Sequence, residues 1–535
     1  MKTMINSIIL ASCLALPLAS CSDSDAAPEQ KDWSTTTYFN SSDAAAQDTY
    51  YKPAVGYVGD PMPFFDPVAG DFKVLYLQDF RPNPEGTYHP IWGVSTKDAA
   101  HYTALGELVS CGTLKSQDAA IGTGSTIYDE ASKLYYTFYT GNKYKPTGDE
   151  SAQVVMVATS ADFKTWTKDR TFLIKGQDFG YDKNDFRDPF VFKGDDGKFH
   201  MLVSTKKGGK GSLAEFVSDD LKNWTDNGVF MTMMWDRFYE CPDLFKMGDY
   251  WYLVYSELHH AVRRVQYFKG RTLDELKACT ANDAGIWPDA HEGFLDSRGL
   301  YAGKTASDGT NRYLWGWCPT RSGKDNTAVG ASPAEPEWAG NLVCYKLIQH
   351  EDGTLTLGQV DAVSEKYNQD VAVEVKESQN MTEADGAYTL AGNAEHPDAY
   401  MLMGRLGSHN KISFTVTTSN KWDKFGISMV RGSDSKKYYT MVVNPEDENN
   451  RKVNFEEQGV EGKGFIAGID GYVFARPADN VYNVTIYTDN SICVMYINDV
   501  CSYTNRIYGI QKNCWSINSY NGANVKISNL KISQY

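Results

Sequence analysis

The sequence predicts an all-β chain: a five-bladed β-propeller followed by a C-terminal β-sandwich. Three observations carry that expectation. Short runs rich in aromatic and β-branched residues recur about every 60 residues through the first two thirds of the chain. Three of those units end alike, in Ser95-Thr96-Lys97-Asp98, in Ser160-Ala161-Asp162-Phe163-Lys164-Thr165-Trp166 and in Ser218-Asp219-Asp220-Leu221-Lys222-Asn223-Trp224. Helical periodicity is scarce, with Leu273–Ala278 the best short candidate.

Taken in order, the chain opens with Lys2 and an apolar stretch from Ile5 to Leu18, too short and too early for a spanning helix. It reads as a secretory signal over residues 1–20. Leu18-Ala19-Ser20-Cys21 resembles a bacterial lipobox, which makes Cys21 the expected lipidation site and membrane anchor. A general secretory signal with an incidental Cys is the alternative. Residues 21–47, beginning Ser22-Asp23-Ser24-Asp25, read as a polar tether like that of lipoproteins exported to the outer surface. The expected location is the cell envelope, as an outer-membrane lipoprotein on the periplasmic or the outer face.

The propeller is expected over 48–360. Its repeated strands are Val74-Leu75-Tyr76-Leu77, Leu134–Tyr139, Phe199–Val203, Tyr250–Tyr255 and Tyr313–Trp317, each bounded by Gly, Asp or Asn. An array of β-sandwiches is the other architecture such spacing allows. Over 367–535 the texture changes to runs such as Phe414–Thr417, Phe425–Val430, Tyr438–Val443, Val484–Tyr487 and Val525–Ile527, separated by polar turns. That pattern predicts an antiparallel sandwich with a packing or carbohydrate-binding role.

Composition narrows the chemistry. Lys plus Arg number 52 against 68 Asp plus Glu, a net of -16, which argues against a nucleic-acid binder that needs a basic face. With 34 Tyr and 12 Trp the chain is well supplied with surfaces for stacking sugar rings. Nine His without a His-Glu-x-x-His pattern give no catalytic zinc site, and no metal or other cofactor is expected. The ten Cys form no dense framework; Cys493 with Cys501 is the pair best placed to bond, across a hairpin.

Acids beside proline stand at the starts of blades: Gly59-Asp60-Pro61 in the first, Arg187-Asp188-Pro189 in the third, and Glu240-Cys241-Pro242-Asp243 in the fourth. Proline removes a ladder donor, so regular pairing begins after it and the acid is left at the rim. In a propeller the innermost strands line the axis, so Asp60, Asp188 and Glu240 would converge in one funnel. Convergent carboxylates without a metal suit glycoside hydrolysis, in which one acid assists the leaving oxygen and another attacks or activates water.

At these residues the sequence resembles glycoside hydrolase family 32, the invertase, inulinase and levanase family. Tyr57–Pro63 stands where that family has a WMNDPNG-like motif, Arg187-Asp188-Pro189 matches its RDP motif, and Glu240-Cys241 its EC motif. Leu77-Gln78, Ile91–Thr96, Thr123-Gly124-Ser125, Tyr301-Ala302, Leu314–Trp317 and Trp338-Ala339-Gly340 extend the likeness over about residues 50 to 360. The resemblance implies a retaining enzyme that releases fructose from fructans or sucrose-like sugars. It makes Asp60 the nucleophile, Glu240 the acid/base and Asp188 the transition-state stabiliser. Arg187, Gln78, Trp92 and Ser125 would bind the sugar, with Trp92 equally readable as a core aromatic and Asp243 the next candidate acid. The family's asparagines flanking the nucleophile are Gly59 and Met62-Pro63 here, which puts the donor sugar in question. An inverting arabinanase-like furanosidase and a non-catalytic glycan-binding lipoprotein are the competing readings.

Overall fold

The computed structural model of the chain describes residues 49–535 except 81–87, 234–237, 258–263, 280–291, 322–335, 432–437, 459–465, 468–470 and 512. The signal expected over 1–20, the tether over 21–47 and Cys21 lie outside the described residues.

Among the described residues, twenty strands build five blades. The first holds β1 (Tyr57–Asp66), β2 (Asp71–Asp79), β3 (Ile91–Thr96) and β4 (Thr103–Val109). The second holds β5 (Ala120–Asp129), β6 (Leu134–Asn142), β7 (Gln153–Ser160) and β8 (Thr167–Ile174). The third holds β9 (Phe186–Lys193), β10 (Phe199–Lys207), β11 (Lys210–Ser218) and β12 (Thr225–Thr232). The fourth holds β13 (Glu240–Met247), β14 (Tyr250–Glu257), β15 (Arg264–Gly270) and β16 (Glu292–Phe294). The fifth holds β17 (Tyr301–Ser307), β18 (Arg312–Arg321), β19 (Pro336–Gln349) and β20 (Leu355–Gly358). The first strands β1, β5, β9, β13 and β17 pack each against the next, and β17 returns to β1, closing a ring around one axis. Val58 of β1 also pairs with Gly340 of β19, which ties the last blade to the first.

Burial explains which strands the sequence announces. The aromatic runs are the second strands β2, β6, β10, β14 and β18, covered on both faces by neighbouring blades and therefore almost continuously buried. The similar polar segments are the turns from third to fourth strand. In each, one carboxylate oxygen accepts two successive backbone N–H groups: Asp98 from Ala100 and His101, Asp162 from Lys164 and Thr165, Asp220 from Lys222 and Asn223. The residue after each Asp sits at positive φ, at 59°, 59° and 62° for Ala99, Phe163 and Leu221. Leu273–Ala278 is indeed a short helix, capped by the Thr272 hydroxyl on the Glu275 N–H at 3.1 Å.

Beyond the propeller, two eight-stranded antiparallel sheets face each other. The strand His409–Thr418 buries alternate residues without a break, sending Ile412, Phe414 and Val416 into a core shared with Ile427, Met441 and Trp515 of the facing sheet. This sandwich joins the propeller through buried polar contacts. Asp296 accepts hydrogen bonds from the Thr504 N–H, the Thr504 hydroxyl and the Ser502 hydroxyl, and Arg506 donates to the carbonyls of Cys318 and Pro319.

The disulfide expectation fails on register. The strands Ile492–Ile497 and Cys501–Arg506 do form a hairpin, but Cys493 stands opposite Asn505 and Cys501 opposite Ile497, so the two sulfurs are not partners. All eight cysteines from Cys111 onward are free thiols.

Candidate active site

Every first strand loses register near its start. The break lies between Gly59 and Met62 in β1, Gly122 and Gly124 in β5, Glu240 and Asp243 in β13, and Tyr301 and Lys304 in β17; in β9 it spans Asp188-Pro189, opposite Leu202 to Ser204. Bulges leave residues unpaired and turn their side chains away from the regular alternation. The residues freed are Asp60-Pro61, Thr123, Asp188-Pro189, Cys241-Pro242 and Ala302-Gly303. Proline is tolerated there because no ladder N–H is required. Asp188, Cys241 and Ala302 take positive φ, at 57°, 52° and 51°.

The bulges surround a cavity of about 210 Å³ on the axis, walled by Asp60, Asp188, Glu240, Arg187, Thr123 and Cys241 among others. Asp60 holds both oxygens in fixed bonds: Thr123 Oγ1 donates at 2.7 Å and Trp317 Nε1 at 2.9 Å. Burial raises the Asp60 carboxyl above the usual carboxylate range, the two donors oppose that rise, and the Glu240 charge adds to it. Asp188 is 4% exposed and accepts the Cys241 N–H at 2.9 Å, while its own N–H donates to Thr140 Oγ1 at 2.8 Å. Burial pushes its carboxyl up to about 6, with Arg187 pulling down and the Glu240 and Asp60 charges pushing up. Glu240 accepts Arg187 at 2.9 Å on one oxygen and the Tyr301 hydroxyl on the other. Arg187 also pairs with Asp185 at 2.8 Å and lies over the Phe238 ring, its guanidinium carbon 3.8 Å from the centroid. Its charge is thereby fixed in place.

Residues 50–360 match the "Glycosyl hydrolases family 32 N-terminal domain", and residues 353–532 match "GH32, BT1760-like, C-terminal domain". The chain belongs to glycoside hydrolase family 32. It is 26% identical over 320 residues to the β-fructofuranosidase insoluble isoenzyme CWINV2 of Arabidopsis thaliana, covering 54% of this chain and 51% of that protein. It is 25% identical over 345 residues to a sucrose-6-phosphate hydrolase of Staphylococcus xylosus, covering 61% of this chain and 65% of that one. The chain thus spans between about half and two thirds of these two curated relatives. Fructan 1-exohydrolase IIa of Cichorium intybus has the same fold, with a TM-score of 0.66 at 16% identity, over 90% of this chain and 97% of that one.

The structure brings Asp60, Arg187, Asp188 and Glu240 together, as the sequence predicts, but separates the other expected sugar contacts from the cavity wall. Gln78 is fully buried, and its amide donates to the Val55 carbonyl at 2.6 Å, tying the chain before β1 to β2. Ser125 is two residues past the bulge side chain of β5 and bridges to blade three, donating to the Pro189 carbonyl at 2.9 Å and accepting the Val191 N–H at 2.8 Å. Trp92 packs edge-on against Phe80 in the blade-one core, which is the core-aromatic reading. Asp243 is buried behind the wall, accepting the Thr305 N–H at 2.6 Å.

Residues to which the sequence assigns no role of their own, most of them within the segments that extend the family likeness, complete the site. Thr123 and Trp317 aim Asp60, Tyr301 holds Glu240, and Trp338 forms a wall with His89 stacked on it, their ring centroids 4.1 Å apart. Trp338 also explains Gly59. A Cβ at Gly59 would lie 2.2 Å from the indole, so the ring occupies the space a side chain before Asp60 would fill. Met62 is buried, its sulfur accepting the Gly124 N–H at 3.1 Å, so it packs blade one on blade two instead of facing the sugar.

Proposed function

We propose that this chain is a retaining glycoside hydrolase that releases fructose from β-fructans or sucrose-like sugars. The observation that carries the reading is the meeting of three carboxylates from three blades, Asp60, Asp188 and Glu240, in one axial cavity with a fixed Arg187. In the first step a carboxylate oxygen of Asp60 attacks the anomeric carbon while Glu240 gives its proton to the departing glycosidic oxygen. The bonds from Thr123 and Trp317 hold Asp60 in one orientation for that attack. In the second step Glu240, now ionised, takes a proton from water as the water oxygen bonds the anomeric carbon and Asp60 departs. Asp188 faces the cationic sugar in both transition states, where its charge counts most.

Fructose release from levan, inulin, sucrose and arabinan, resolved by chromatography, tests the reading, together with NMR of the first-formed anomer. Fructose with retained configuration is expected from at least one of the three fructosides. Release from none of them, or inversion, overturns it.

We further infer that the enzyme sits at the cell envelope as an outer-membrane lipoprotein anchored through Cys21. Its support is the Leu18-Ala19-Ser20-Cys21 pattern directly after an apolar segment.

A further inference from the structure

Lys304 is a charged side chain in the propeller interior that the hydrolytic steps above leave unused. It follows the bulge of β17, is 2% exposed, and donates one hydrogen bond, to the Gly124 carbonyl at 2.8 Å. Its ammonium also lies 5.3 Å from the Phe190 ring centroid. It makes no ion pair among the described residues. Gly124 belongs to β5, which is not a ring neighbour of β17, so the side chain crosses the axis from blade five to blade two. It lands beside Thr123, the residue whose hydroxyl aims Asp60.

An ammonium buried with one neutral acceptor is costly, and Leu or Met would fill the same space without that cost. What offsets it is the surrounding negative charge. The carboxylates whose charge reaches Lys304 are Asp243 on β13, Asp188 on β9 and Asp60 on β1; the Cys241 thiol beside them stays neutral, because burial pushes its ionisation up. Burial pulls the ammonium below its usual range and these carboxylates pull it back up. Each of them also has other partners. Asp243 faces Arg312 and the Thr305 N–H, Asp188 faces Arg187, Glu240 and the Cys241 N–H, and Asp60 faces Thr123, Trp317 and Glu240. Arg187, the cation in the cavity wall, is held by Glu240 and Asp185.

We propose that Lys304 is a positioning residue of the hydrolytic site, a cross-axis strut that sets a buried positive charge on the interior side of Asp60 and Asp188. The proposal rests on the fructosidase reading. It separates charge from hydrogen bonding, because Gln at 304 keeps a donor for the Gly124 carbonyl and loses the charge, whereas Met loses both. The experiment is the pH profile of kcat/KM for the full chain and for Lys304→Gln and Lys304→Met, on the fructoside the wild type cleaves best, with thermal melts to check folding.

With the charge gone, the carboxylates hold their protons to higher pH. The acidic limb is expected to move up by about half a pH unit or more in both variants, a threefold or greater loss on the acid side of the profile, with KM little changed. An unmoved limb in both overturns the proposal. So does a wild-type profile in Lys304→Gln beside a defective Lys304→Met, since that outcome makes the residue a donor only. If one variant does not fold, the limb of the other decides. An inactive wild type overturns the fructosidase reading and this proposal together, whereas an active wild type with unmoved limbs overturns this proposal alone.

Discussion

Asp188→Asn should make the protein more stable at neutral pH and catalytically crippled. The Asp188 carboxyl stands at about 6 against an ordinary value of 3.8, because burial and the Glu240 and Asp60 charges outweigh Arg187 and the Cys241 N–H. A carboxyl raised in the folded state binds more protons folded than unfolded between those two values, so stability falls as pH climbs through them. A shift of roughly two units corresponds to about 3 kcal/mol of cost once the pH is above the folded value. Asparagine removes that charge and keeps an oxygen for the Cys241 N–H, but its buried amide protons lack an acceptor, which returns about 1 kcal/mol. The net expectation is a gain of about 2 kcal/mol at pH 8 that disappears by about pH 4, read from denaturant midpoints of the two proteins at both values. Meanwhile kcat should fall at least about a hundredfold with KM much less affected, since the charge matters chiefly in the transition state. Equal stability differences at the two pH values, or a loss at pH 8, would refute the claim that the Asp188 charge is held at a cost.

Three further outcomes are expected. Glu240→Ala should be nearly inactive on a fructan yet retain part of its activity on an activated aryl fructoside, with azide restoring the second step; equal slowing on both substrates and no azide effect removes Glu240 from the acid/base role. Gly59→Ala places a Cβ about where the Trp338 ring lies, 2.2 Å away, and should cost about 1–3 kcal/mol and raise KM. Trp338→Ala in that background should recover part of the stability, and strictly additive effects would show that the two positions do not compete for space. Cys21→Ala should abolish partition of the expressed protein into a detergent phase, and unchanged partition sinks the lipid anchor.

How much of this was legible in the sequence depends on which force wrote each signal. The second strand of each blade is covered on both faces, so it reads as an unbroken apolar run and the repeat can be counted from β2, β6, β10, β14 and β18 alone. Outer strands such as β8, exposed along most of their length, carry no such run and stay invisible. The turns after the third strands were legible for another reason: an Asp that accepts two backbone N–H groups leaves a residue signature independent of burial. The hairpin around Cys493 and Cys501 was visible in the same way. Its register was not, because pairing is set by turn geometry that residue spacing does not encode.

The acids are legible because proline marks the bulges of blades one, three and four; the bulge of blade two has none, and its axial residue is not announced in the same way. In Thr123-Gly124-Ser125 the family resemblance points to Ser125, yet the extra residue in β5 sits between Gly122 and Gly124, which frees Thr123 to reach Asp60. Ser125 then resumes the regular ladder and points between blades two and three, where its hydroxyl meets the Pro189 carbonyl and the Val191 N–H. A side-chain period of two is reset by each bulge, so alternation counted across one assigns the wrong face. The sequence does hold a pointer to it. Gly124 cannot carry a Cβ, which would lie 1.8 Å from the Phe138 carbonyl, and a glycine forced by such a close approach within a strand marks where the ladder is broken. In blade five Gly303 lies within the break itself, where a Cβ would fall 2.8 Å from the Val265 side chain. Proline in three blades and glycine in the other two therefore mark one feature, a break in the pairing of the innermost strand. Reading both residue types as bulge markers would have led to Thr123 as directly as to Asp60.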